Sequence, residues 1–149
     1  IVHAGTLDPM ATGLLVLGLG RATRLLRLVQ DQPKTYLAVA VLGVATDTLD
    51  ADGAVLDREP MPVGEAEVRR VAERFVGRIF QVPPMVSARR VEGRRLYELA
   101  REGKEVARDA RQVEVYSLDL VDFAPSDYPE ATFRIRCGQR GTGVAFLAQ

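Results

Sequence analysis

The sequence predicts a single α+β domain, a mixed and mainly antiparallel sheet flanked by helices, and three observations carry that reading. KTYLAVAVLG (Lys34–Gly43), VEVYSLDLVDF (Val113–Phe123) and ATFRIR (Ala131–Arg136) have the β-rich composition and period-two patterning of strands. VGEAEVRRVAERF (Val63–Phe75) instead puts Val68, Val71, Ala72 and Phe75 on the i, i+3, i+4, i+7 spacing of one helix face. The two kinds of element do not alternate strictly, which argues against a doubly wound parallel sheet. With 149 residues, 47% of them hydrophobic, the chain is long enough for one sizeable core and short for two full domains.

In chain order, Ile1–Gly13 is rich in Gly, Thr, Asp and Pro and predicts an irregular loop, with Pro9 biasing Asp8 away from helix. Leu14–Leu19 is a short apolar run between glycines and predicts a buried strand. RATRLLRLVQD follows with helical spacing at Ala22, Leu25, Leu26 and Val29. Lys34–Gly43 is the clearest strand. Thr46–Gly53 (TDTLDADG) is an acidic loop whose Asp-Gly dipeptide predicts a tight turn into AVLD and a hairpin-like pair. After the Val63–Phe75 helix, with its early acids and later bases, Arg78–Val82 predicts a strand stopped by Pro83 and Pro84. Ser87–Val91 reads as a short extended piece, and Arg94–Arg101 as a helix ended by Gly103. Val113–Phe123 and Ala131–Arg136, separated by the turn-rich APSDYPE, predict an antiparallel pair.

Composition narrows the function classes. Twenty basic residues balance twenty acidic ones, so any nucleic-acid site has to be a local patch; the arginines at 89, 90, 94 and 95 form one candidate. The lone Cys137 makes no intrachain disulfide, and the lone His3 leaves no His/Cys cluster for zinc. There is no P-loop and no G-x-G-x-x-G fingerprint, so neither metal nor cofactor is expected. The acidic loop lacks the distal Glu of an EF-hand. A reducing, cytoplasmic setting fits, and GLLVLGLG is too short to span a bilayer. The chain starts without Met inside what reads as a functional loop, which predicts that the protein extends beyond it.

Asp8 is the candidate chemical centre. Gly5, Gly13 and Pro9 around it restrict and permit backbone shapes that hold a carboxylate at a fixed angle, as a nucleophile or base requires; an Asx turn or helix N-cap is the structural alternative. Tyr36 reads from its periodicity as a core strand tyrosine, and His3 as an exposed loop residue.

HAGTLDPMATGLLVLGLGRATRL resembles the signature of the TruB family of pseudouridine synthases, in which the aspartate of GTLDPxATG is catalytic. KTYLAVAVLGVATDTLDADG and QVPPMVSARRVEGRRLYELAREGKEVARDARQVEVY resemble the family's second and third blocks, in order, so the similarity covers nearly all of residues 2 to 123. The resemblance implies a pseudouridine synthase fold and cleavage of a uridine's glycosidic bond, rotation of the base and rejoining through C5. Asp8 then acts on a flipped-out T-loop uridine, position 55 of tRNA, with Tyr36 stacked on or beside the base, and His3, Asp50 and Arg95 contacting RNA. It implies tRNA as partner, through its T arm, with no membrane, no obligate protein partner and a monomeric enzyme. It also implies that residues 1–149 are one catalytic domain without its N-terminal start or a C-terminal PUA-type domain.

The pattern departs from the family at the end of the chain. Where relatives carry a GTYIR-like strand this sequence has Gly141-Thr142-Gly143-Val144-Ala145, so Gly143 replaces the tyrosine that packs on the base and Ala145 the arginine that pairs with the aspartate. Val86 stands where many relatives carry an aromatic residue. Without the arginine the carboxylate loses a geometry-fixing ion pair. This keeps a second reading open, a catalytically weak tRNA-binding protein or chaperone, beside a guide-RNA-dependent synthase.

Overall fold

A computed structural model describes residues 1–7, 10–82, 90–91, 94–95 and 110–138. The strands are β1 (Val2–His3), β2 (Leu17–Gly18), β3 (Lys34–Val41), β4 (Val44–Thr46), β5 (Val55–Arg58), β6 (Gly77–Gln81), β7 (Arg90–Val91), β8 (Arg94–Arg95), β9 (Arg111–Ala124) and β10 (Glu130–Cys137). Two α-helices, α1 (Leu26–Gln30) and α2 (Glu65–Ala72), adjoin 3-10 turns at Gly20–Leu25 and Glu73–Phe75. The architecture is α+β, as the periodicities predict, and every ladder among the described residues is antiparallel.

The centre is a four-stranded sheet in the order β3-β10-β9-β6. Alternation decides its faces: in β10, Ala131, Phe133, Ile135 and Cys137 are buried, while Glu130, Arg134 and Arg136 are exposed. Val115, Leu118 and Leu120 of β9 and Ala38 of β3 join Ala131, Phe133 and Ile135 in one core, which α2 covers with Val68 and Ala72. Register shifts between Thr132 and Phe133 and between Arg136 and Cys137 let the long β9 follow β10 with its inward residues still on the core side. The opposite face of β3 shows Leu37, Val39 and Val41 outward.

Helix α2 is shorter than the predicted Val63–Phe75. The Gly64 carbonyl accepts the first bonds, from the N–H groups of Glu67 and Val68, both at 3.1 Å, and residues 73–75 tighten into a 3-10 turn. Glu65 and Glu67 stand in the first turn, where the helix dipole favours acids. Glu65 pairs with Arg69 at 2.6 Å, and Arg69 Nη1 also donates to the Leu120 carbonyl at 3.0 Å, tying the helix to β9.

Several expectations are corrected. The leading loop is not wholly irregular, because Val2–His3 pairs with Leu17–Gly18. The run Leu14–Leu19 is not a buried strand: only Leu17–Gly18 pairs as a strand, and Leu14 (88%), Leu17 (55%) and Leu19 (63%) are exposed. Its only partner among the described residues is two residues long, and Gly13 (φ 150°) and Gly20 (φ 52°) turn the chain at either end. The helix predicted over RATRLLRLVQD begins as a 3-10 turn, and of Ala22, Leu25, Leu26 and Val29 only Leu26 is buried. Leu26 packs on Gly18, where a Cβ would stand 2.9 Å from its Cγ and Cδ1. The expected hairpin does form, Val55–Arg58 pairing with Val44–Thr46. Finally, Arg94–Arg95, predicted as the start of a helix, pairs as a strand with Arg90–Val91; two residues separate the pieces, the length of a tight hairpin connection. Residues 96–101 of that predicted helix, Gly103, Pro83, Pro84 and Ser87–Arg89 lie outside the described residues.

Candidate active site

The loop that carries Asp8 leaves the short β1–β2 ribbon. Ala4, buried, donates its N–H to the Val16 carbonyl at 2.8 Å, so the loop's start is stitched to the strand that follows it. His3 is exposed, and its Nδ1 donates to the Gly5 carbonyl two residues on. Nε2 is the second polar edge of the ring. Asp8 and Pro9 lie outside the described residues; Leu7, half-buried, and Met10, exposed, flank them.

Tyr36 lies on β3 opposite Ile135 of β10. It is half-buried and packs against the core on the same side as Ala38 and Ala40. The period-two reading of this tyrosine as a core-facing strand residue therefore describes its packing.

Asp50 sits at the tip of the β4–β5 hairpin, and its Oδ1 holds the tip together. It accepts from the Thr48 hydroxyl at 2.5 Å and from the Asp52 N–H at 3.0 Å, while the Asp50 carbonyl accepts from the Thr46 hydroxyl at 2.8 Å. Asp47 Oδ1 accepts from the Ala54 N–H at 2.9 Å. Leu49 takes a left-handed φ of 61°, and a Cβ at Gly53 would crowd Thr48 Oγ1 and Asp47 Oδ1, two of the oxygens that close the tip. The threonines are the participants that the acidic reading of this loop overlooks; the T-D-T-x-D spacing is their signal.

At its base, the hairpin is tied to the β9–β10 turn. Leu42 N–H donates to the Pro129 carbonyl at 2.9 Å, Met61 N–H to the Asp127 carbonyl at 2.8 Å, and the Arg58 guanidinium lies 4.1 Å from the centre of the Tyr128 ring. His3, Tyr36 and Asp50 thus stand on three separate pieces: the β1–β2 ribbon, the central sheet and the hairpin tip. Arg95 lies in β8, in register with Arg90 of β7. Gly141, Thr142, Gly143 and Ala145, where the family pattern breaks, lie outside the described residues, as does Val86. A second cationic row, Arg21, Arg24 and Arg27, emerges with the helix geometry, although its spacing of three is visible in RATRLLR. No helix among the described residues is long and apolar enough to cross a membrane.

The fold has a counterpart among solved structures: a chain in the crystal structure of a Cbf5–Nop10–Gar1 complex superposes with a TM-score of 0.64 at 22% identity, covering 97% of this chain and 33% of that one. Residues 1–144 match the family described as TruB family pseudouridylate synthase (N terminal domain), and the chain belongs to that family. Among curated proteins it is 48% identical over 149 residues to the tRNA pseudouridine synthase B of Moorella thermoacetica, covering 99% of this chain and 48% of that one. It is 43% identical over 148 residues to the tRNA pseudouridine synthase B of Trichormus variabilis, covering 99% and 50%. The chain spans about half the length of the curated relatives it matches.

Proposed function

We propose that residues 1–149 form the catalytic domain of a tRNA pseudouridine synthase that isomerises a T-loop uridine, position 55, with Asp8 as its catalytic residue. The observation that carries this is the segment HAGTLDPMATG inside a chain whose whole length aligns with proteins named tRNA pseudouridine synthase B. In the isomerisation the N1–C1′ bond breaks and a C5–C1′ bond forms. The C5 proton leaves and N1 gains one, so no redox partner enters. A carboxylate serves such a reaction as nucleophile or general base. Reaching the base inside a folded T loop requires flipping it out. Tyr36 then offers a ring and hydroxyl to the extruded base, and His3, Asp50 and Arg95 contact the RNA. The hydrogen-bonded hairpin tip supports Asp50's role in holding its loop in one shape. The enzyme acts alone in the cytoplasm, as a monomer, on the T arm.

Tritium release from C5-labelled uridine in a T-arm transcript tests the proposal. The expected outcome is release by the wild-type protein and none by Asp8→Asn; equal release by both removes Asp8 from the chemistry. Gly143 and Ala145, standing where the family has Tyr and Arg, favour a second reading as a tRNA-binding protein of weak catalysis. Tight, salt-sensitive T-arm binding by wild type and Asp8→Asn alike, with turnover by neither, selects it.

A further inference from the structure

No acidic residue stands between Asp8 and Asp31, while three arginines do, at 21, 24 and 27. All three are exposed. The ion pairs among the described residues, Arg69–Glu65, Arg70–Glu67 and Arg78–Glu114, include none of them. Arg21 and Arg24 lie in the 3-10 turn, where residues three apart eclipse, and Arg27 continues the row one turn into α1. Leu26, keyed into the space above Gly18, settles which side of the helix turns inward. Three like charges about 5–6 Å apart along the axis, from the rises of the two helix types, repel one another without neutralisation. That spacing is on the scale of the step between neighbouring phosphates of one nucleic-acid strand.

We infer that Arg21, Arg24 and Arg27 form a cationic row that follows the sugar–phosphate backbone of the substrate RNA as it leaves the reacting nucleotide. The inference rests on the RNA-modifying reading above and adds to it a binding surface, with Arg27 as its distal end. The connection to the Asp8 loop is direct: β2 leads into the 3-10 turn through Leu19, and the strand and the loop share the β1 pairing and the Ala4–Val16 bond. Phosphate contacts of this kind position the RNA and carry no sequence information.

The test is equilibrium binding of a T-arm transcript to the full-length protein across a salt series. Variants are Arg27→Gln, the triple Arg21→Gln/Arg24→Gln/Arg27→Gln and the corresponding triple lysine protein, with circular dichroism confirming that each is folded. Each lost contact is expected to reduce the slope of log K against log salt by about 0.7–0.9, so the triple glutamine protein loses about 2–3 from the slope. The lysine protein keeps the wild-type slope, because the contact is charge with phosphate. A triple glutamine protein with unchanged slope and affinity overturns the row. Loss of binding to phosphatidylserine vesicles with RNA binding unmoved assigns the arginines to a lipid surface and overturns it equally. Running the tritium assay on the wild-type protein separates this proposal from the catalytic one: binding with the expected slopes but no turnover leaves the row standing and removes the catalytic reading. A wild-type protein that binds no tRNA removes both.

Discussion

At Gly43 the chain adopts a φ of 80°, and a Cβ there would lie 2.3 Å from the Glu59 carbonyl oxygen. The Gly43 carbonyl in turn accepts the Glu59 N–H at 2.9 Å, so the backbone on which the hairpin is mounted has no room to shift. Gly43→Ala combines left-handed strain with a backbone clash and is expected to cost about 1–3 kcal/mol, read as a lower urea midpoint at unchanged slope. A variant as stable as wild type would show that the base of the hairpin yields. Cys137 makes a residue-scale prediction of another kind. Burial pushes its thiol above the ordinary range, and Lys34, its cross-strand neighbour, only partly offsets that. The raised value means that the folded state holds the proton longer than the unfolded state. The stabilisation is therefore full below the ordinary thiol pKa of about 8.5 and is lost as pH rises through the folded value. The stability advantage of wild type over Cys137→Ala should shrink on going from neutral to strongly alkaline pH, and a flat difference would contradict it. Iodoacetamide should modify Cys137 quickly in urea and slowly in the native protein. Of the candidate site, the residue scale is where the sequence is most legible: Asp8, His3 and Asp50 stand out by type and by their Gly- and Thr-rich surroundings. The bonds that Asp50 makes are not, because Oδ1 is engaged by a hydroxyl and an N–H whose positions depend on Leu49 turning the chain.

Helix α2 shows which contacts of an element matter. Val68 is buried against the sheet, and Val68→Ala removes apolar contact and leaves a void, an expected loss of about 1–3 kcal/mol. Arg70 and Glu67 are exposed partners, and Arg70→Ala should change stability by no more than about 0.5 kcal/mol. Arg69→Ala should cost more, because its guanidinium also reaches the Leu120 carbonyl and leaves that acceptor without this donor. Chemical denaturation of the three variants checks the order Val68, Arg69, Arg70; equal losses at 69 and 70 would show that the tie to β9 is weak. The helix itself was legible from its period, and its shortening at both ends follows from Gly64 and the closing 3-10 turn. Arg94–Arg95 were not legible: they open a helical pattern, yet they pair with Arg90–Val91. Local pattern competes there with a partner strand only two residues away, and pairing prevails.

At the scale of the molecule, β10 comes last among the described strands and yet lies second in the sheet, between β3 and β9. It contributes Ala131, Phe133 and Ile135 to the core and pairs along its whole length on both sides. A protein ending at Pro129 is expected to lose cooperative unfolding and near-UV ellipticity, because among the described strands β10 alone pairs with β3; a retained sigmoidal transition would show that β9, β6 and α2 suffice. The amino-acid sequence by itself determined the α+β class, the strong strands, the α2 face and the aspartate motif that places the chain in its family, since each depends on residues close together along the chain. Tertiary structure alone decided that β10 separates β3 from β9 and that Leu14, Leu17 and Leu19 stay uncovered. Those outcomes depend on which distant strand supplies the opposite backbone hydrogen bonds and which helix covers a face, and periodicity along a segment carries no record of either.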